Sequence, residues 1–323
     1  MTEAVNPKKS SMSALLGGIA WVGILAGSSR GGVPIGTIEQ LFLLAPLVVV
    51  PLGLVLAAMP QRLGEDPLPY RAACFLQPIA AAGAVASFWF EPGIPAAVLA
   101  FGWFLVCGLV GFSGLIRLLQ GKRFHAEELC FDVGLSYLPI GGAWLFLSRL
   151  GATMLGVEEP IKLLTAVHFH FTGFAVPLIA GATGRFLAKA SPLTRRLFRF
   201  VAAGVIGGTP LIAAGFVFSP ILKVVSVVFL ATSLMALSGL MVFAVLPRVR
   251  HPIAKSLLVL SAASLVAGMA LADAYAIGEF TGKFWISIPQ MARTHGLING
   301  LGFTLCGLMA WSLIQGEAPC CQH

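Results

Sequence analysis

An all-α, polytopic transmembrane bundle of about ten helices, with both termini in the cytoplasm, is predicted by three properties of the 323-residue sequence. Hydrophobic residues make up 58% of the chain and charged residues 11%, whereas a soluble domain carries about 25% charged residues. A chain so poor in charge has too few polar groups to cover its own surface in water. The apolar residues fall in runs long enough to cross a bilayer, whose hydrocarbon core of roughly 30 Å needs about 20 helical residues. Between these runs the cations alternate in density from one connection to the next, as the positive-inside rule requires.

In chain order the runs cover 12–29, 38–59, 73–90, 95–116, 127–148, 161–184, 197–218, 221–246, 256–277 and 294–315. Ten such spans with short connections use nearly the whole length. Residues 1–323 therefore read as a single integral membrane domain with short tails at 1–11 and 316–323. With the N-terminus inside, fifteen of the 21 Lys and Arg fall on the cytoplasmic side, chiefly in the Arg185–Arg199 and Arg248–Lys255 loops. The other six, Arg30, Arg149, Lys162, Lys223, Lys283 and Arg293, fall outside. The first span has a second reading. Lys8 and Lys9, an apolar run and then Ala26–Ser28 also fit a cleavable signal peptide, which would leave nine helices and an external N-terminus.

Pro46, Pro78, Pro139, Pro177 and Pro210 lie inside spans, where a bilayer helix keeps a proline only if neighbours satisfy the freed carbonyls. The 37 glycines allow helices to approach closely. Both features fit a compact bundle, and both suit transporters and membrane enzymes alike. The net charge of +8 resides in short loops beside apolar runs, so it marks topology and excludes a nucleic-acid partner. Cys74, Cys107, Cys130 and Cys306 are scattered through apolar segments as small hydrophobes. Cys320, Cys321 and His323 read as incidental groups at a chain end, with metal capture or palmitoylation as the alternatives. No P-loop, dinucleotide fingerprint, paired CxxC, HExxH or nucleophile elbow is present.

Polar groups inside the spans carry the functional information, because an ionisable side chain in hydrocarbon costs at least about 2.5–3.5 kcal/mol and normally faces protein or a cavity. The sixth span holds His168, His170 and Thr172, the two histidines about 10–14 Å below its outer end at 1.5 Å per residue. The tenth begins with His295 and continues to Asn299. Glu39 opens the second span, and Asp273 lies near the outer end of the ninth. These groups share one leaflet. On a regular helix His168 stacks with Thr165, Thr172 and Ala175, and His295 with Asn299, Gly302 and Cys306. His170 points about 200° away from His168, so one of the pair packs structurally or the helix is locally unwound. His168 and His295 are expected to face a common cavity. A second locus, Glu127, Glu128 and Asp132 at the start of the fifth span, reads as a pairing network with Arg117, Lys122 and Arg123, or else as a proton or ion path.

The segments TAVHFHFTGFAVPLIAG (165–181) and MARTHGLINGLGF (291–303), together with TIEQLFLLAPLVVVPLGL (37–54) and FDVGLSYLPIGGAWL (131–145), resemble the YndJ-like family of bacterial membrane proteins. The resemblance spans most of the chain. It implies a multi-pass protein of the bacterial inner (plasma) membrane without an established activity, in a family sometimes labelled as transporters. Carried over residue by residue, it marks Glu39, Asp132, His168, His170, His295 and Asn299. Longer family members carry a further C-terminal region that this sequence does not match.

The leading functional expectation is a carrier for a small molecule or ion. Its site would be a polar cavity in the outer half, with His168, His170 and His295 as binding or proton-coupled groups. Thr172, Asn299, Glu39, Asp273 and Asp132 are further candidates to hold substrate or protons. The alternative is a membrane-embedded metal or haem enzyme, with His168, His170 and His295 as ligands and Thr172, Asn299 or Asp273 supporting them. A sensor or assembly subunit is the third. The sequence leaves enzyme or non-enzyme, and any metal or haem, open; it implies the lipid bilayer and an unidentified small molecule or ion as partners. The topology is directly testable. Reporter fusions in the Arg185–Arg199 and Arg248–Lys255 loops are expected to read as cytoplasmic and those near Glu158 or Glu279 as exported; export of the Arg195–Arg199 segment would overturn the ten-helix arrangement.

Overall fold

The computed structural model describes residues 7–32, 35–58, 65–120, 125–283 and 285–317. Ten long helices account for almost all of them: α1 (Pro7–Ser29), α2 (Thr37–Ala57), α3 (Leu68–Ser87), α4 (Ile94–Gln120), α5 (Ala126–Leu150), α6 (Ile161–Phe186), α7 (Pro192–Phe218), α8 (Pro220–Arg248), α9 (Pro252–Phe280) and α10 (Ile288–Gln315). Among the described residues there is no strand, only an isolated bridge between Met154 and Val157 in the α5–α6 connection. The all-α bundle read from the sequence is therefore the observed fold. Nine of the ten helices are long and apolar enough to cross a membrane. The exception is α3, which has the length but is diluted by Arg71, Gln77 and two prolines.

The described chain divides into two compact units. Unit 1 comprises α1 to α4, α5 from Asp132 onward, and α6 up to Ala175. Unit 2 comprises the first turns of α5 through Phe131, α6 from Val176, and α7 to α10.

In unit 1, α2 is the helix most enclosed by protein, with 83% of its apolar window buried. Its middle is a π-helical turn, Ala45–Val49, and the Val50 N–H closes onto the Ala45 carbonyl five residues back. The next residue, Pro51, has no N–H to offer the Pro46 carbonyl in that register. Gln77 of α3 fills the gap: its Nε2 donates to the Pro46 carbonyl at 2.8 Å, while its Oε1 accepts from Ser13 Oγ of α1 at 2.9 Å. One buried amide thus ties three helices through a carbonyl that a proline left open. Gly17 of α1 packs so closely against the Leu47 carbonyl that a Cβ there would overlap it. Trp21 Nε1 donates to the Gln40 carbonyl at 2.8 Å and secures the same helix pair.

The far end of α2 is closed in the same way. Tyr70 donates its hydroxyl proton to the Leu54 carbonyl, and Arg117 Nη1 of α4 donates to the Ala57 carbonyl at 2.7 Å. A cation at a helix C-terminus also opposes the helix dipole favourably. Helices α4 and α5 meet through Gly111 against Pro139, Gly114 against the Asp132 carbonyl, and Gly142 against Cys107.

Unit 2 is built on antiparallel neighbours. Helices α7 and α8 are joined through the single residue Ser219, whose Oγ caps α8 by accepting from the Leu222 N–H at 3.4 Å. Gly204 accommodates the Ser233 side chain between them. Helices α9 and α10 pack through Ser261, whose Oγ donates to the Phe303 carbonyl at 2.8 Å, and through Gly302 against Ser264. The Gln77 bridge in unit 1 yields a stability test. Gln77→Leu leaves the Pro46 carbonyl unpaired in an apolar interior, a loss of about 1–3 kcal/mol, and is expected to lower the thermal midpoint of the detergent-solubilised protein. Ser13→Ala leaves that carbonyl covered and is expected to cost less; equal losses would remove the special role of the Pro46 carbonyl.

Candidate functional site

Helix α6 is irregular where its histidines lie. Its α-helical turns end at His168, and Phe169–Ala175 forms a π-helical segment that contains His170 and the half-buried Thr172. Pro177, one turn beyond, withholds another backbone N–H. The two rings take different environments. His168 is exposed, its Nδ1–H donates to the Leu164 carbonyl at 2.7 Å, and its Nε2 has no partner among the described residues.

His170 is fully buried in unit 1. Its Nδ1–H donates to the Ala166 carbonyl at 2.8 Å, and its Nε2 accepts from Trp103 Nε1 of α4 at 3.0 Å. A carbonyl only accepts and an indole N–H only donates, so this pair of bonds fixes the neutral tautomer with the proton on Nδ1. The Trp103 ring stacks on the imidazole and Phe42 of α2 meets it edge-on. Gly141 of α5 leaves the space: a Cβ there would come within 2.6 Å of Nδ1. Both ring nitrogens of His170 are thereby used, and a metal ion would have to displace Trp103 to reach Nε2. The more buried face of α6 is the one carrying His170, Pro177, Gly181 and Gly184, not the one carrying His168.

The second polar locus lies in unit 2. Helix α10 is π-helical over Ala292–Gly296 and again over Ile298–Leu305, so both His295 and Asn299 sit in non-α turns. Such turns recur at functional sites. His295 Nδ1–H donates across to the Gly268 carbonyl of α9 at 2.8 Å. Asn299 Nδ2 donates to the His295 carbonyl at 3.0 Å, and the absence of a side chain at Gly268 is what admits the amide. Asn299 Oδ1 is buried and accepts from nothing among the described residues. The same holds for Oδ1 of Asp273, ~7 Å farther along α9 from Gly268 at 1.5 Å per residue.

Other candidates are already paired. Asp132 is buried, with Oδ1 2.7 Å from Arg117 Nε. Glu128 forms a two-point pair with Arg185 of α6, at 2.8 and 2.6 Å, and the same guanidinium lies 3.8 Å over the Phe131 ring. Of the cations expected around Glu127, Glu128 and Asp132, Arg117 is engaged as read and Arg185 is an addition; Lys122 and Arg123 lie outside the described residues, as do Cys320, Cys321 and His323. Glu39 occupies the first turn of α2, half-buried and folded back toward Gly36. Arg149 and Lys162, buried in unit 1, donate to the Ser87, Phe90 and Ala152 carbonyls.

His168 and His170 belong to unit 1 and His295 to unit 2. Among the described residues no three His, Cys, Asp or Glu side chains gather closely enough to hold a metal ion. Sequence reasoning missed Trp103, Gln77 and Gly268. The first two had a signal: a Trp in mid-span, far from the interfacial belt where Trp usually lies, and an amide deep in an apolar run both need a buried partner.

Fold and site together define a polytopic helical membrane protein with a few ionisable groups retained inside its spans. The sequence pattern of the YndJ-like protein family matches residues 40–303, and the chain belongs to that family. It is similar to a Bacillus subtilis (strain 168) protein described as an uncharacterized membrane protein YndJ, with 29% identity over 309 residues. That alignment takes in 93% of this chain and 53% of the relative, so the chain spans about half the length of the curated relative it matches. No solved structure gives a significant match.

Proposed function

We propose that the chain is a carrier for a small molecule or ion in the bacterial plasma membrane, oriented with its N-terminus in the cytoplasm and its polar site in the outer half. The observation that carries this reading is the pair of buried acceptor oxygens, Asp273 Oδ1 and Asn299 Oδ1, without partners on adjacent helices of unit 2. In hydrocarbon an unpaired polar atom costs several kcal/mol and is retained for a reason. Acceptors left open in this way suit a proton, an ammonium group or a metal cation. In unit 1 His168 Nε2 is a further acceptor left open when the ring is neutral. The carrier reading therefore assigns ligand and proton contacts to Asp273, Asn299, His295 and His168. His170 acts as a packing group that holds α2, α4, α5 and α6 together.

The metal- or haem-enzyme reading has less behind it. A bare metal ion needs several ligands converging on one point, which the described residues do not supply, and a metal or haem iron on His170 needs the Nε2 that Trp103 occupies.

Transport is tested with the full chain in proteoliposomes enclosing a pH-sensitive dye, challenged with a panel of alkali, ammonium and guanidinium cations. A carrier gives a saturable, cation-dependent dye response. Asp273→Asn and Asn299→Ala are each expected to slow it roughly tenfold or more, the equivalent of a lost hydrogen bond to a charged group, with the yield of folded protein unchanged. Protein that purifies with stoichiometric haem or transition metal, lost on replacing His168 or His295, would contradict the carrier reading and favour the enzyme.

A further inference from the structure

Where α8 ends, its backbone widens into a π-helical turn (Leu240–Val245) and then tightens into a 3-10 turn (Leu246–Arg248) before α9 starts at Pro252. A groove of about 700 Å3 lies between the two helices, wholly within unit 2, lined by Leu246, Lys255, Ser256, Val259, Leu260 and Ala263. Ser256, Val259, Leu260 and Ala263 succeed one another at helical spacing along a single face of α9, ~10 Å from first to last. The face is polar at its start and apolar thereafter, with Lys255 beside the polar end. Val259 and Leu260 are about half-exposed.

The charged residues on the two helices that line this groove are all basic near it. No Asp or Glu occurs between Ile161 and Ala272, so Arg248, Arg250 and Lys255 have no acidic residue on α7, α8 or the first two-thirds of α9 to neutralise them. None of the three makes an ion pair among the described residues. His251 is held as the cap of α9, its Nδ1 accepting from the Ala254 N–H at 3.3 Å. A ligand matching this groove is anionic at one end and carries an alkyl chain running toward the middle of the membrane.

We infer that the α8–α9 groove is a binding site for an anionic phospholipid, its phosphate on Lys255 and one acyl chain over Val259, Leu260 and Ala263. Basic residues at the membrane surface select anionic lipids by charge; what distinguishes this site is the apolar track aligned behind a single lysine. The site is separate from the groups assigned to cargo.

Native mass spectrometry of the full chain, titrated in detergent with phosphatidylglycerol or phosphatidylcholine, tests the inference without reference to sidedness or transport. The anionic lipid is expected to be retained in preference to the zwitterionic one. Lys255→Ala is expected to weaken phosphatidylglycerol binding about fivefold, as for the loss of one basic contact. Ala263→Trp, which fills the apolar track and leaves the charge, is expected to weaken it as well. Arg199→Ala, exposed on α7 and not among the residues lining the groove, is expected to leave binding unchanged. Equal retention of the two lipids, an equal effect of Arg199→Ala, indifference to Ala263→Trp, or displacement of the lipid by millimolar inorganic phosphate would each overturn the assignment, the last by showing that a free anion suffices.

Discussion

A backbone carbonyl or an ionisable side chain in hydrocarbon has no water to turn to, and the arrangement of this protein follows from finding each such group a partner within the chain. Helix α2 shows the principle most fully. Its π turn and Pro51 together strand the Pro46 carbonyl, and Gln77 arrives from another helix to cover it. Its C-terminal carbonyls are covered by Tyr70 and Arg117, and Arg117 is in turn neutralised by Asp132. In α2, α3 and α4 the polar groups that look costly in the sequence, Gln77, Tyr70 and Arg117, are fastenings between helices in the fold. Such bonds also direct packing, which in a lipid solvent cannot rely on burial of apolar surface alone.

The same constraint divides the candidate site residues into two kinds. His170 and Glu128 have their hydrogen-bonding capacity met by Trp103 and Ala166 and by Arg185 respectively, and the Asp132 charge is neutralised by Arg117 at 2.7 Å. They hold helices in register. The Asp273 and Asn299 oxygens and His168 Nε2 have capacity left over. Groups of the first kind are expensive to lose and say little about chemistry. Groups of the second kind are where a ligand or a proton gains something by arriving, and the carrier reading rests on them.

The ten helices were legible because length and hydropathy are properties of whole segments, insensitive to any one neighbour. Boundaries were less so. The third span was read as 73–90 and is found at Leu68–Ser87, because Arg71 and Tyr70 were treated as loop residues, whereas the helix begins at its Leu68-Pro69 start and carries both in its first turn. The polar residues worth attention were also legible, since any ionisable group in a span stands out. Their division into two kinds was not. Helical periodicity assigned His168 to an interior face on the assumption of regular α geometry. The π segment from Phe169 changes that register, and no residue type encodes a π turn by itself. Nor does a sequence show that Trp103, 67 positions away, meets His170. Pairings of that kind belong to tertiary structure.

The contrast between an open carboxyl and a locked one is the central claim, and it can be read from a single reaction. A hydrophobic carbodiimide partitions into the membrane and modifies carboxyl groups that are protonatable and unpaired. Applied to membranes containing the full chain, with adducts located by peptide mass spectrometry, it is predicted to modify Asp273 and to spare Asp132, whose oxygen is held 2.7 Å from the Arg117 guanidinium. Modification of Asp132 with Asp273 left intact would contradict the account at its base.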